Sequence, residues 1–208
     1  VLPGVHSDIG GCYVNNNEEK VDLYEEHEND GKNCERFRNI LIEEGWYKPE
    51  EIVVHKFTYP HKYGVNTKYL LVGTRRLFST YDKISLNTMF HYSQQEQFGV
   101  KYEQKRVNKH KISDVFLTEI YNQLKNYMNA CSILRNTYIE EYNQSNSSGD
   151  YLSKIKTLHY EDFVDLEKLK ILRNQYLHWS ASATKTGYGP RVGKVSNAKE
   201  RTRNIQYG

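Results

Sequence analysis

No G-x-S-x-G occurs anywhere in the 208 residues. That excludes, within this sequence, the tight strand-to-helix elbow on which many hydrolases mount a nucleophilic serine. There is no Gly-rich phosphate loop of the G-x-x-x-x-G-K type either, which removes that route to nucleotide binding. Cysteine is scarce: Cys12, Cys34 and Cys131 stand far apart, with no C-x-x-C pair. An odd, scattered set builds neither a disulfide framework nor a zinc site, and reads as free thiols in a reducing compartment. His55, His61, His91, His110 and His159 form no pair at metal-ligand spacing, so no metal and no cofactor is expected. No apolar run approaches the roughly 20 residues that a membrane-spanning helix needs, and no stretch reads as a signal peptide. A net charge of +3 is too small to point to nucleic acid.

What the chain has in excess is tyrosine, with 18 residues. Tyr brings apolar area together with a hydroxyl that seeks water or a partner, so the core is expected to be wet at its edges; lineage bias explains the same excess. The length suits one domain or a large part of one. Charge is unevenly spread. Glu18 to Asp30 holds seven acids and one Lys, whereas Lys185 to Arg203 holds six bases against Glu200. Such a basic tail suits phospholipid head groups or phosphate, or is simply solvated.

The opening "VLPGVHSDIGGCY" reads as the end of a buried strand that breaks into a glycine turn. Val14 to Asn33, dominated by Asn, Glu and Asp, reads as an exposed loop. "NCERFRNILIEEGW" has helical spacing, stopped by Gly45. "EEIVVHKFTY" and "KYLLVGTRRLF" form a strand pair divided by a turn. "DKISLNTMFHYSQQEQFG" predicts a helix with Asp82 as cap, Leu86, Met89 and Phe90 inward, and Gly99 at its end. Val100 to Tyr102 suits a short strand, and "EQKRVNKHK" a basic loop. The clearest helix runs from about Asp114 to Tyr142, capped by Ser113, with a stripe through Phe116, Ile120, Leu124, Tyr127, Cys131, Leu134 and Tyr138. "NQSNSSGD" reads as a linker. A last helix is expected over about Glu161 to Leu177.

Two histidines stand out. His6 lies on the glycine turn, where an imidazole serves as a general base only if a nucleophile comes within hydrogen-bond reach; otherwise it is structural. Asp8, two residues on, suits a carboxylate that bonds backbone N–H groups and fixes the loop. His178 closes the last helix in "YLHWSAS", where imidazolium suits the negative end of the helix dipole.

The words "PGVHSDIGG" resemble the motif F-x-G-V-H-S-D-V-G-G-G-Y of a hydrolase family, the catalytic domain of phospholipase effectors of the type VI secretion system. Cys12 replaces the third glycine of the run, which removes positive-φ freedom there, and Tyr13 is kept. "ILIEEGWYKPEEI", "YDKISLNTM" and "LRNQYLHWSAS" followed by "PR" resemble the C-terminal half of versions of the same family. The resemblance implies an α/β fold: the C-terminal part of an α/β-hydrolase-like domain, mostly helical with a few strands. Residues 1–33 would carry the catalytic His loop and an acidic loop, 34–160 the strand pair and a helical region, and 161–208 the last helix and basic tail. His6 would be the general base of a Ser-Asp-His triad, Asp8 its loop support, and His178 an alternative base. Ser and Asp are then expected upstream of Val1, in an N-terminal half of the same protein, so residues 1–208 alone are expected to be inactive. The substrate would be a phospholipid or another ester, with no nucleic acid and no cofactor. A secretion spike and an immunity protein would be the further partners. The protein would reside in the bacterial cytoplasm before secretion, then in the periplasm or at the membrane surface of a target cell. A non-catalytic binding or delivery module of a secretion effector is the alternative, and a non-enzymatic helical domain the third reading.

Overall fold

A computed structural model of the chain describes residues 2–4, 6–27, 29–62, 64–94, 100–145 and 158–179, apart from the side chains of His6, Asn29, His61 and Ser145. In chain order the elements are α1 (His6–Gly10), β1 (Asn17–Glu26), α2 (Lys32–Glu43), β2 (Ile52–His61), β3 (Gly64–Leu77), α3 (Asp82–Ser93), α4 (Gln104–Asn108), α5 (Val115–Ser145) and α6 (Leu166–Gln175). Single 3-10 turns lie at Asn29–Gly31 and Tyr160–Asp162. They assemble into two units. One is built from Val1–Tyr13 and Ser79–Leu172, the other from Val14–Phe78 and the segment from Arg173.

The second unit holds a three-stranded antiparallel sheet in the order β1-β3-β2. The expected strand pair is there, in register from Ile52↔Gly73 to His61↔Gly64. β1 was not expected: it occupies the segment that reads as an exposed acidic loop. Asn, Glu and Asp are poor strand formers, but the partner strand supplies what they lack. Glu18 faces Arg76 and Glu19 faces Arg75 across the ladder, and opposite charges directly across an antiparallel pair are favourable. The register slips between Asp22 and Tyr24. Leu23 is the extra residue, and it is 1% exposed. The bulge therefore turns the one Leu of an acidic strand into the core.

The core of this unit joins Leu23, Cys34, Phe37, Leu41, Tyr47, Ile52 and Leu71, so α2 lies on one face of the sheet. Each fully buried Leu or Ile contributes roughly 1.5–3 kcal/mol relative to exposure. α2 stops where its spacing predicts: Gly45 N–H donates to the Ile42 carbonyl (3.0 Å) and Trp46 N–H to that of Leu41 (2.9 Å), the Schellman closure. The chain then reverses and lays Tyr47 on the central strand. A Cβ at Gly73 would collide with the Tyr47 ring, so only glycine admits that contact. At its other end α2 is capped from outside. Glu26, buried at the end of β1, accepts the N–H groups of Asn33 and Cys34, each at 3.0 Å, and the Asn33 side-chain amide at 2.9 Å. A carboxylate there satisfies two orphan donors and complements the helix dipole.

Arg75 of β3 gathers many of the unit's polar contacts. Its guanidinium is fully buried and pairs with Glu19 at 2.8 Å. Nη1 donates to the carbonyls of Trp46 (2.6 Å) and Arg173 (2.8 Å), and Nη2 to that of Leu177 (2.7 Å). The same guanidinium lies 4.5 Å from the centre of the Tyr47 ring, a cation–π geometry. Glu19 in turn accepts the Trp179 N–H at 2.7 Å, and Trp179 meets Trp46 edge-on, with centroids 5.2 Å apart.

The first unit is helical. Its buried apolar residues include Tyr81, Ile84, Leu117, Ile120, Leu124, Tyr127, Val164, Leu169 and Leu172. Several expectations need correction here. Leu2–Gly4 is not a strand, and "HSDIG" is a helical turn rather than a loop. Leu86 and Met89 are 42% and 69% exposed; α3 buries Ile84, Ser85 and Thr88 instead. The buried face is set by packing, and its polar members hid it from a hydrophobicity count. Asp114, not Ser113, caps α5, its carboxylate accepting the Leu117 N–H at 3.1 Å. Val100–Tyr102 forms no strand, and the basic loop after it contains α4. The helix expected over Glu161–Leu177 is split into a 3-10 turn and the shorter α6. Gly99, most of the "NQSNSSGD" linker and the basic tail from Lys185 lie outside the described residues. The described chain is thus a mixed helix and strand structure with a small antiparallel sheet.

Removing Arg75 leaves the Glu19 carboxylate and three carbonyls without their donor. Arg75→Ala is expected to lower unfolding free energy by about 3–5 kcal/mol, the range for breaking a buried pair, in urea titrations. Glu26→Ala should cost about 1–2 kcal/mol, as loss of a helix cap does. A loss under about 1 kcal/mol for Arg75→Ala would contradict the clamp.

Candidate functional site

The histidine motif is built as a stopped turn of helix. His6 opens α1, and its side chain lies outside the described part of the structure. Gly11 ends the turn in the left-handed region, φ +71°, and Cys12 N–H donates back to the Ser7 carbonyl at 3.2 Å. That bond spans six residues, as at the end of α2. Two features favour glycine here. Its φ disfavours any Cβ, and a Cβ there would lie 2.7 Å from a carboxylate oxygen of Asp82. Cys12 does not adopt positive φ, so replacing the third glycine of the motif costs the backbone nothing.

Asp8 is buried at 4% exposure in the middle of this turn. α1 packs on α3, whose first turn brings Tyr81 and Ser85, four residues apart and therefore on one helix face. Tyr81 is fully buried. Its hydroxyl and that of Ser85 meet no hydrogen-bond partner among the described residues. Burial first, then the charge of Asp8 and the hydroxyl of Tyr160, hold the Tyr81 phenol well above its usual range. Tyr81 is thus a neutral donor throughout physiological pH, in the electrostatic field of Asp8. Reading the sequence for titratable groups on the glycine turn missed both residues. The available signal was the 81, 84, 85, 88 spacing in "YDKISLNT", which a purely apolar criterion passes over.

His178 sits elsewhere. It belongs to the unit of the sheet, three residues past the end of α6, and is 7% exposed. Its neighbours on both sides are held: the Leu177 carbonyl by Arg75 and the Trp179 N–H by Glu19. The backbone on either side of His178 is thus fixed by Arg75 and Glu19. Among the described residues, no group of His, Cys, Asp and Glu is arranged to hold a metal ion, and no helix is long and apolar enough to cross a membrane.

No protein-family model and no curated protein matches the chain. Among solved structures, the chain is similar to one in the structure of the Tle1 effector bound to the VgrG spike from the Type 6 secretion system. The similarity is distant: 16% identity and a TM-score of 0.44, over 87% of this chain and 36% of that one. The chain thus spans about a third of the length of that neighbour.

Two measurements check the local geometry. Gly11→Ala should destabilise by about 1–3 kcal/mol, the cost of a strained left-handed residue, while Cys12→Gly should leave the melting temperature nearly unchanged. The thiols should also separate. Cys12 is exposed, whereas Cys34 is buried and its thiol is pushed up to about 12, by burial first and then by the Glu26 charge. With a chromogenic disulfide reagent near pH 8, Cys12 is expected to react promptly and Cys34 only in denaturant, because the thiolate is the nucleophile. Prompt reaction of Cys34 in the native state would contradict this packing.

Proposed function

We propose that the chain is the C-terminal portion of a serine esterase or phospholipase-like hydrolase, with His6 as its general base. One observation carries the reading. The run G-V-H-S-D-I-G-G resembles the type VI phospholipase motif, and within it His6–Gly10 folds as a helical turn with the buried carboxylate of Asp8, closed by Gly11 at positive φ. A turn of this kind suits a residue whose position has to be reproducible, because catalytic groups work only within a narrow geometry.

In this mechanism His6 takes the proton of a serine hydroxyl as it attacks the ester carbonyl, and returns it to the leaving alcohol. Water then repeats the sequence to release the acid. The serine and the carboxylate that orients the imidazole come from outside residues 1–208. Asp8 holds the turn, and so acts on His6 by position. Secretion, with a spike and an immunity protein as partners, follows from the motif resemblance alone. His178 is the second candidate for the base; its place between two clamped backbone groups favours a structural role.

Hydrolysis of a p-nitrophenyl ester and of a phospholipid, by the polypeptide that includes the upstream half, tests the assignment. His6→Ala is expected to lower kcat about 10⁴-fold or more, as loss of a triad member does. Asp8→Asn should fall between His6→Ala and the parent. His178→Ala should lower stability and leave kcat within a few-fold. Residues 1–208 alone should show no turnover. If His178→Ala abolishes turnover in a folded protein while His6→Ala retains most of it, the roles are reversed.

A further inference from the structure

We infer that Tyr81 is a positioning residue for the histidine turn: its buried hydroxyl is a donor held for the Asp8 carboxylate, and through Asp8 it fixes the place of His6. The inference rests on the catalytic reading of His6 and adds a residue to it. Two successive residues at the start of α3 address the turn. Asp82 lies against Gly11, which closes the turn. Tyr81, one residue earlier, has its phenol in the field of Asp8, in the middle of the turn. Asp8 and Tyr81 are both buried where α1 packs on α3.

The hydroxyl of Tyr81 has no local way to be satisfied. A short side chain has one: Thr88, on the same helix, returns its hydroxyl to the Ile84 carbonyl at 2.8 Å, four residues back. A phenol oxygen sits a ring's length from its own backbone and is too far out for that bond. The Tyr81 hydroxyl meets no hydrogen-bond partner among the described residues, on a side chain with 0% exposure. A buried hydroxyl without an acceptor destabilises a fold, and Phe would fill nearly the same volume without one. A use for the O–H explains the tyrosine. Two groups face the phenol, the Asp8 carboxylate and the Tyr160 hydroxyl. The carboxylate is the stronger acceptor of the two. Burial first, and then the Asp8 charge, keep the phenol protonated, so the proton to donate is always present. Hydrogen bonds that serve catalysis are often long in the resting enzyme and tighten once substrate is bound. Closure of the Tyr81 O–H on Asp8 draws α1 onto α3 and locks the turn while His6 takes the serine proton.

The test is a double-mutant cycle on ester hydrolysis by the polypeptide that includes the upstream half. Tyr81→Phe is expected to lower kcat about 10- to 100-fold, the effect of one hydrogen bond to a charged group. KM should stay within about 2-fold of the parent's, since the hydroxyl does not touch substrate. The melting temperature should equal or exceed the parent's, because the hydroxyl removed has no acceptor in the resting fold. In the Asp8→Asn background, Tyr81→Phe should lower kcat little further, because both changes act on one bond. Additive effects overturn the proposal. So does a rise in KM at unchanged kcat, which puts the hydroxyl on the substrate. A fall in kcat with an equally clear fall in melting temperature is loss of core packing, and overturns it too. His6→Ala separates the two readings. Retained turnover in His6→Ala removes the catalytic reading; lost turnover there, with Tyr81→Phe like the parent, removes only the role of Tyr81. Should Tyr81→Phe fold poorly, a ring-fluorinated tyrosine placed at position 81 alone keeps the shape and makes the O–H a stronger donor. A change in kcat that disappears in Asp8→Asn supports the proposal. No change, or the same change in both backgrounds, overturns it.

Discussion

The Arg75 guanidinium has five N–H donors to place and no water to take them. Three segments distant in sequence converge to receive them. β1 supplies the Glu19 carboxylate, the loop after α2 supplies the Trp46 carbonyl, and the end of α6 supplies those of Arg173 and Leu177. A cation at a helix C-terminus is favourable in its own right. Here it also joins the last described segment to the strand at the centre of the sheet. Because a buried charge without its partners is far costlier than the pair, the arrangement tolerates little variation. The segment from Arg173 to Trp179, with His178 inside it, is ordered by that demand.

The same economy of charge runs through the sheet. β1 is acidic and β3 basic, and opposite charges face each other in the pairs Glu18↔Arg76 and Glu19↔Arg75. Glu26 goes to the N-terminus of α2 and Glu25 to Lys68. Of the acids that make "EEKVDLYEE" look like a solvated loop, Glu19, Glu25 and Glu26 each serve as a partner to a specific group.

In the helical unit the histidine motif occupies a turn whose shape is over-determined. Its backbone closes on itself at Gly11, its middle residue is buried, and its glycine abuts Asp82. Tyr81 and Ser85 bring two uncommitted hydroxyls to the first turn of α3, the helix on which α1 packs. Buried hydroxyls with no partner among the described residues are rare in native proteins, and Tyr81 lies in the field of the buried Asp8 carboxylate.

The sequence by itself determined what depends on neighbours within a turn or two. The α2 stop at Gly45, the β2–β3 pair and the long α5 are each readable because spacing, turn residues and propensity agree locally. The motif is also readable, since residue identity and order carry it, and with it the candidates His6, Asp8 and His178. Only the tertiary structure decided the rest. β1 exists because a basic strand some 50 residues away pairs with it, and Leu23 is buried through a bulge that exists only in that pairing. Tyr81 and Ser85 are singled out by what fails to reach them, and His178 by what holds its neighbours. In each case the cause is a contact distant in sequence. A buried polar group is defined by its partners, and these lie far away along the chain.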